Sequence, residues 1–156
     1  MTLQVYLSGE IHTDWRQQII EGANGLDLGF SSPVTDHGAS DDCGVAILGA
    51  EPDKFWHDHK GAKLNAIRTR QALQSADIVV VRFGTEYKQW NAAFDAGYAA
   101  ALGKSLIVLN PPEHGHALKE VHAAALAVAE APAQVVALLR YVLTGALPDR
   151  ESVAAE

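Results

Sequence analysis

The sequence predicts an α/β protein: a three-layer sandwich around a five-stranded parallel sheet of flavodoxin-like type. Three observations carry this. First, short apolar, β-branched runs alternate with helical segments along the chain, a pattern that builds a parallel sheet covered by helices on both faces. Second, residues 76–111, ADIVVVRFGTEYKQWNAAFDAGYAAALGKSLIVLNP, read as strand, loop, helix, turn and strand. Third, both strands of that unit are near-continuous apolar runs, as strands buried on both faces are, and a right-handed crossover joins them. The expected strand order is 2-1-3-4-5. Its switch point lies between strands 1 and 3, so the loops after Ser8 and after Phe83 should line one crevice at the carboxyl ends of the strands.

Each element has a local reason. Leu3 to Ser8 is the first strand, ended by Gly9. Thr13 or Asp14 caps the next helix, which starts at Trp15 and runs to about Ala23. Asn24-Gly25 turns the chain into a second strand within Leu26 to Pro33. Ser32 to Lys60 reads as a long irregular connection, with room for a short helix over Cys43 to Leu48; such loops are functional or disordered, and Phe55 and Trp56 favour order. Ala62 to Ser75 carries apolar residues at helical spacing. Ile78 to Phe83 is the third strand, and Asn91 to Leu102 an Ala-rich helix ended by Gly103. Ser105 to Leu109 is the fourth strand, stopped by Pro111 and Pro112. Leu118 to Ala125 forms a short helix and Leu126 to Glu130 a fifth, edge strand. Pro132 opens the last helix, which runs to about Thr144 and ends at Gly145. The expected domain is 1–145, followed by a tail, 146–156, that frays or needs a partner.

Bulk properties narrow the function. At 156 residues the chain fits one domain, and 48% hydrophobic with 20% charged residues is an ordinary globular composition. A net charge of −7 argues against nucleic acid or anionic membrane as a general partner, since both need a basic face. Cys43, alone, allows no internal disulfide and suits a reducing cytoplasm. The start, MTLQVYLSGE, shows no signal peptide, and no apolar run approaches the ~20 residues of a membrane span. G-x-G-x-x-G, P-loop, G-x-S-x-G and C-x-x-C patterns are absent, and no cofactor is expected.

Two carboxylates can converge on the predicted crevice: Glu10, after the first strand, and Asp95, in the first turns of the helix after the third. A carboxylate near a helix N-terminus is held ionised by free N–H groups and the dipole, which is what a nucleophile at an anomeric carbon must be. The same position is equally consistent with Asp95 only favouring the helix start. Tyr6 either orients such a carboxylate or packs in the core. Ser8, Gly9, His12 and Gly84 belong to the two loops and are candidate ligand contacts. Tyr87, Trp90 and Trp56 offer stacking faces for a base, or rim packing; Asn91 caps the helix or touches ligand. Asp36, Asp41 and Asp42 either bond a polar ligand or cap a short helix. His57-Asp58-His59 and Cys43 in the same region match no metal-ligand spacing, so no metal site is assigned. Arg68 and Arg70 either steer a phosphate or pair with surface acids.

Two segments resemble a known family. Phe94-Asp-Ala-Gly-Tyr-Ala, continuing through Ala-rich helix to Gly103-Lys104, is similar to the nucleoside 2-deoxyribosyltransferase superfamily, where the segment reads roughly [ML]-E-x-G-Y-A followed by a G-K turn and a strand. YLSGEIHTDWR with YKQWNAAFDAG resembles its YtoQ subgroup more closely. The resemblance implies a flavodoxin-like fold, cleavage of an N-glycosidic bond, and a homodimer or higher oligomer whose neighbouring subunit completes the site. It places the family's nucleophilic glutamate at Asp95 and its supporting tyrosine at Tyr6. Aspartate is one methylene shorter, a retreat of roughly 1.5 Å, about one carbon–carbon bond. The family's acid on the preceding loop falls near Gln89, which cannot be an acid, leaving Glu10 or Glu86 to replace it.

The expected function is N-glycosidic chemistry on a nucleoside or nucleotide, by deoxyribosyl transfer or hydrolysis. Asp95 attacks, Tyr6 orients it, Glu10 protonates the leaving base or binds the sugar, and Trp90 stacks on the ligand. The alternatives are a catalytically silent nucleotide- or sugar-binding protein on the same scaffold, and a metal-dependent hydrolase using the His/Asp-rich segment.

Overall fold

The computed structural model describes residues 1–148. Five strands, β1 (Leu3–Gly9), β2 (Leu28–Ser31), β3 (Ile78–Arg82), β4 (Ser105–Leu109) and β5 (Ala127–Ala129), form one sheet in the order β2-β1-β3-β4-β5. Every pairing is parallel, with Ser8 opposite Val81 and Gly9 opposite Arg82 at the switch point. Six α-helices cover it: α1 (Trp15–Gly22), α2 (His37–Leu48), α3 (Lys54–Ser75), α4 (Trp90–Ala101), α5 (Lys119–Ala124) and α6 (Pro132–Thr144). A 3-10 turn, Pro112–His114, precedes α5. The predicted boundaries of the last helix hold, with Gly145 in the left-handed conformation at its end. Of the expected tail, residues 149–156 lie outside the described residues.

Period-2 alternation in the strands sorts the core into two layers. Val5, Leu7, Ile78, Val80, Ile107 and Leu109 face α1 and α6, where Trp15, Ile19, Val135 and Leu139 meet them. Tyr6, Val79, Val81, Leu106 and Val108 face the other way, onto Leu73 of α3 and Ala92, Ala96 and Ala99 of α4. This parity matters for function: Ser8, two residues after Tyr6, shares its face of the sheet and looks toward α4. Asp77, just before β3, accepts from the Gln4 backbone N–H at 2.8 Å and is structural.

The largest departure from expectation is residues 32–60. Instead of a long irregular loop, the chain forms α2 and a 22-residue α3 that begins eight residues earlier than Ala62. The physical reason is tertiary. Gly44 of α2 and Gly61 of α3 cross so closely that a Cβ on Gly44 would stand 2.5 Å from the Gly61 nitrogen, and one on Gly61 2.7 Å from the Asp41 carbonyl oxygen. Each helix stabilises the other through this contact, which local propensity does not register, since glycine alone disfavours a helix interior. Asn65 Nδ2 adds a bond of 3.0 Å to the Ser40 carbonyl. Asp36 and Asp53 cap the two N-termini, Asp36 accepting from Ala39 N–H at 2.7 Å and Asp53 from Phe55 N–H at 3.0 Å. Those two caps were the legible signal.

Candidate active site

The site lies at the carboxyl ends of β1 and β3, where the strand order switches direction. Its first wall is the segment after β1. Gly9 has φ of +107°, and a Cβ there would lie 2.2 Å from the Arg82 carbonyl oxygen, so only glycine fits. The chain then turns around the side chains that follow. Trp15 Nε1 donates to the Glu10 carbonyl at 2.8 Å. The Arg16 guanidinium, buried against the Trp15 ring, donates to the carbonyls of Leu7, Gly9 and Glu10 at 2.9, 3.0 and 2.6 Å. Burial lowers Arg16 to about 10, still fully charged at neutral pH. Trp15 and Arg16 therefore fix this segment by binding its carbonyls. The conspicuous string YLSGEIHTDWR is thus one self-bonded unit.

Glu10 is 3% exposed and satisfied on both oxygens. It accepts from the backbone N–H groups of His12 and Thr13, from Thr13 Oγ at 2.7 Å, and from Arg82 Nε at 3.1 Å. Burial pushes its carboxyl up, but the bonds from Thr13, His12 and Arg82 outweigh it, and the net direction is down. Gly84 packs on the Glu10 side chain and donates its N–H to Gln89 Oε1 at 3.0 Å, tying the loop between β3 and α4 to itself. Gln89, near the place of the family's loop acid, instead staples the loop through Gly84 N–H and the Glu86 carbonyl.

Asp95 is half-buried and is the sixth residue of α4, past the first turn where a helix N-terminus holds a carboxylate ionised. That expectation is corrected: burial raises the Asp95 carboxyl above its ordinary value, and a hydrogen bond from Ser8 opposes the rise. Ser8 Oγ donates to Asp95 Oδ2 at 2.5 Å; among the described residues the other oxygen takes no hydrogen bond. Tyr6 is 1% exposed, and its hydroxyl faces Thr69 with Asp95 and Arg68 nearby. Burial, reinforced by Asp95, raises it above the ordinary phenol value, so it is neutral. The residue in contact with the carboxylate is Ser8 rather than Tyr6.

These groups open into a cleft of about 810 Å³. Ser8, Gly9, Glu10, His12, Tyr87, Asn91 and Asp95 line it together. Tyr87 adopts φ of 60°, a conformation rare outside glycine, and its ring meets His12 at 4.6 Å and 43°. The opposite wall comes from α2 and α3, including Ser40, Asn65 and Thr69, which the loop reading of that region concealed. Three expected contacts lie elsewhere. Asp36 is the N-cap of α2; Trp90 is 75% exposed at the start of α4, beside Lys88 Nζ; Trp56 packs edge-on against Phe55. Asn91 is inside α4, whose N-cap position is Gln89, so it is a lining residue and not the cap. Gly84 shapes the loop without lining the cleft.

The side chains of the His/Asp-rich segment contact one another. His57 pairs with Asp42 at 3.1 Å and His37 with Asp41 at 3.4 Å, and Lys54 pairs with Asp58. Among the described residues no group of three His, Cys, Asp or Glu side chains is placed to hold a metal ion, and no helix is long and apolar enough to cross a membrane.

Solved structures share this doubly wound parallel fold. The 2-deoxyribosyltransferase of Bacillus psychrosaccharolyticus superposes with a TM-score of 0.54 at 15% identity, over 85% of this chain and 90% of that one. A conserved protein from Enterococcus faecalis V583 gives 0.64 at 13% identity, over 92% of this chain and all of the other. Within that fold, residues 6–143 match the family described as nucleoside 2-deoxyribosyltransferase YtoQ, and the chain belongs to it. An uncharacterized YtoQ protein of Bacillus subtilis (strain 168) is 40% identical over 144 residues, 91% of this chain and 97% of that relative.

Proposed function

We propose that this protein cleaves the N-glycosidic bond of a nucleoside or nucleotide with Asp95 as nucleophile. The observation that carries the reading is the Asp95 carboxylate, a lining residue of the cleft that takes a hydrogen bond from Ser8 on one oxygen and none among the described residues on the other. The free oxygen attacks the anomeric carbon as the C–N bond breaks. The bonding pair leaves with the base, which takes its proton from water. Water or a second base then releases the sugar from the aspartyl ester, retaining configuration.

The other residues take roles from their positions. Ser8 positions Asp95 and stabilises its charge. Tyr6 stands behind as a neutral hydroxyl near the same carboxylate. Glu10 is a positioning residue in this reading, since its lowered pKa leaves it no proton to give at neutral pH; it holds the His12 loop. His12 and Tyr87 offer aromatic surface to the base, and Asn91 a polar edge. The family match supports the nucleoside-related chemistry.

Incubating the protein with a panel of deoxynucleosides and free bases, followed by chromatography, tests this. Released or exchanged base that disappears in Asp95→Asn supports it. Ligand-induced thermal stabilisation with no turnover by the wild type would favour the second reading, a silent binding protein, for which the aspartate in place of glutamate is the motivating observation.

A further inference from the structure

We propose that His12 is the proton donor to the departing base, giving the proton that the base would otherwise draw from water. This rests on the glycosidic reading and adds a second catalytic residue to it.

Two contacts bracket the cleft. At its floor Ser8, fully buried, bonds Asp95 at 2.5 Å. At its rim the exposed His12 ring meets that of Tyr87 at 4.6 Å. His12 follows Ser8 by four residues on the loop leaving β1, and Tyr87 lies on the loop that enters α4 and leads to Asp95. The same two loops thus carry both contacts, and four residues of chain span at most roughly 14 Å. A nucleoside with its anomeric carbon on Asp95 and its base toward solvent brings that base to His12.

The loop is built to hold the imidazole still. Buried Glu10 accepts the backbone N–H groups of His12 and Thr13, while Trp15 and Arg16 bind the Glu10 carbonyl. Gly84, from the facing loop, packs on the Glu10 side chain. Tyr87 reaches the imidazole from a backbone φ of 60°, a conformation unfavourable outside glycine and one that functional sites retain.

The other lining groups are unsuited to the task. Glu10 accepts on both oxygens and is held ionised. Asp41 and Asp58 stand on the α2 and α3 wall, against His37 and Lys54. Lysine, arginine and tyrosine hold their protons too tightly near neutral pH, whereas imidazole both gives and takes one there. Of the two lining histidines, His37 faces Asp41 at 3.4 Å; the His12 ring nitrogens make no hydrogen bond among the described residues and are left to a ligand.

In the first half-reaction an Asp95 oxygen bonds C1′ as the C1′–N bond breaks. The electron pair stays with the base, and the imidazolium N–H of His12 passes its proton to a nitrogen or carbonyl oxygen of that base. In the second half, the neutral imidazole takes a proton back from the water, or from the N–H of the second base, that displaces the aspartyl ester.

A leaving-group comparison tests this. Wild type and His12→Gln are assayed on 2′-deoxynucleosides and on nitrophenyl 2-deoxyriboside, whose phenolate departs without a proton. The variant should lose on the order of a hundredfold or more in kcat on nucleosides and stay within about threefold of wild type on the nitrophenyl substrate. Imidazole added to His12→Ala should restore part of the nucleoside turnover. Both substitutions change an exposed side chain and keep the backbone N–H that bonds Glu10, and melting curves confirm folding. Equal losses on both substrates, nucleoside turnover within threefold of wild type, or, where the nitrophenyl substrate is not accepted, no rescue by imidazole overturn the role of His12 and leave the glycosidic reading standing. No release from either substrate by the wild type, or turnover unchanged in Asp95→Asn, overturns the glycosidic reading and the His12 role with it.

Discussion

Ser8 and Asp95, 87 residues apart in the chain, are joined by a hydrogen bond of 2.5 Å in which the serine hydroxyl donates to the carboxylate. It connects the end of β1 to the second turn of α4 across the switch point of the sheet. Ser8 reaches Asp95 because strand parity puts it on the Tyr6 face, under α4, which carries the carboxylate.

Asp95→Asn keeps the shape and removes the charge. Turnover on whichever nucleoside or nucleotide proves to be a substrate should fall by on the order of a hundredfold or more, with ligand affinity little changed. The melting temperature should rise at neutral pH. The sign follows from burial: the folded pKa is raised, so the stability this group contributes is present below the unfolded value and is lost as pH rises through the folded one. Paired steady-state kinetics and calorimetry read both effects; full activity in the variant would remove Asp95 from the chemistry.

Ser8→Ala acts on the same carboxylate from the other side. Its hydrogen bond lowers the Asp95 pKa against the desolvation that raises it. Removing it should move the acid limb of the kcat/KM profile to higher pH and cost about tenfold near the limb, at roughly 1.5 kcal/mol for a bond to a charged group. An unmoved limb with reduced rate would mean that Ser8 does not tune Asp95.

Glu10→Gln separates a positioning residue from an acid. Its folded pKa is depressed, so the stability it provides is present above the ordinary value of 4.5 and is lost as pH falls through the lower folded value. The variant should lose about 1.5–3 kcal/mol at neutral pH and show a flatter acid decline in urea titrations. If instead stability is unchanged while base release stops, Glu10 is the proton donor.

The crossing of α2 and α3 is tested by Gly61→Ala. The added Cβ meets backbone at 2.7 Å, which flexible side chains cannot relieve. A loss of about 1–3 kcal/mol is expected, with weakened ligand binding as the α2 wall shifts. An unchanged melting curve would show that the helices are not held by this contact.

Tyr87 and Trp90 distinguish lining from mere proximity. Tyr87→Ala should raise KM severalfold, because its ring forms the cleft edge with His12. Trp90→Ala should leave KM within about twofold, since the indole lies outside the cleft. Equal effects would place the base nearer the start of α4.

The sequence by itself determined the architecture and pointed to Asp95 as the candidate carboxylate. Strand runs, helix stops and the switch-point rule are local or topological, and they yielded the order of the sheet and the crevice containing Ser8, His12, Tyr87 and Asp95. Tertiary structure decided the rest, because contacts between distant residues leave no periodic trace. Two glycines turned an apparent loop into a helical wall; Arg82 and Thr13 converted Glu10 from a potential acid into a fixed carboxylate; strand parity gave Ser8, and not Tyr6, the contact with Asp95. Asp36 and Trp90 moved out of the site for the same reason: a cap and an exposed ring satisfy local rules, and only packing shows which way they face.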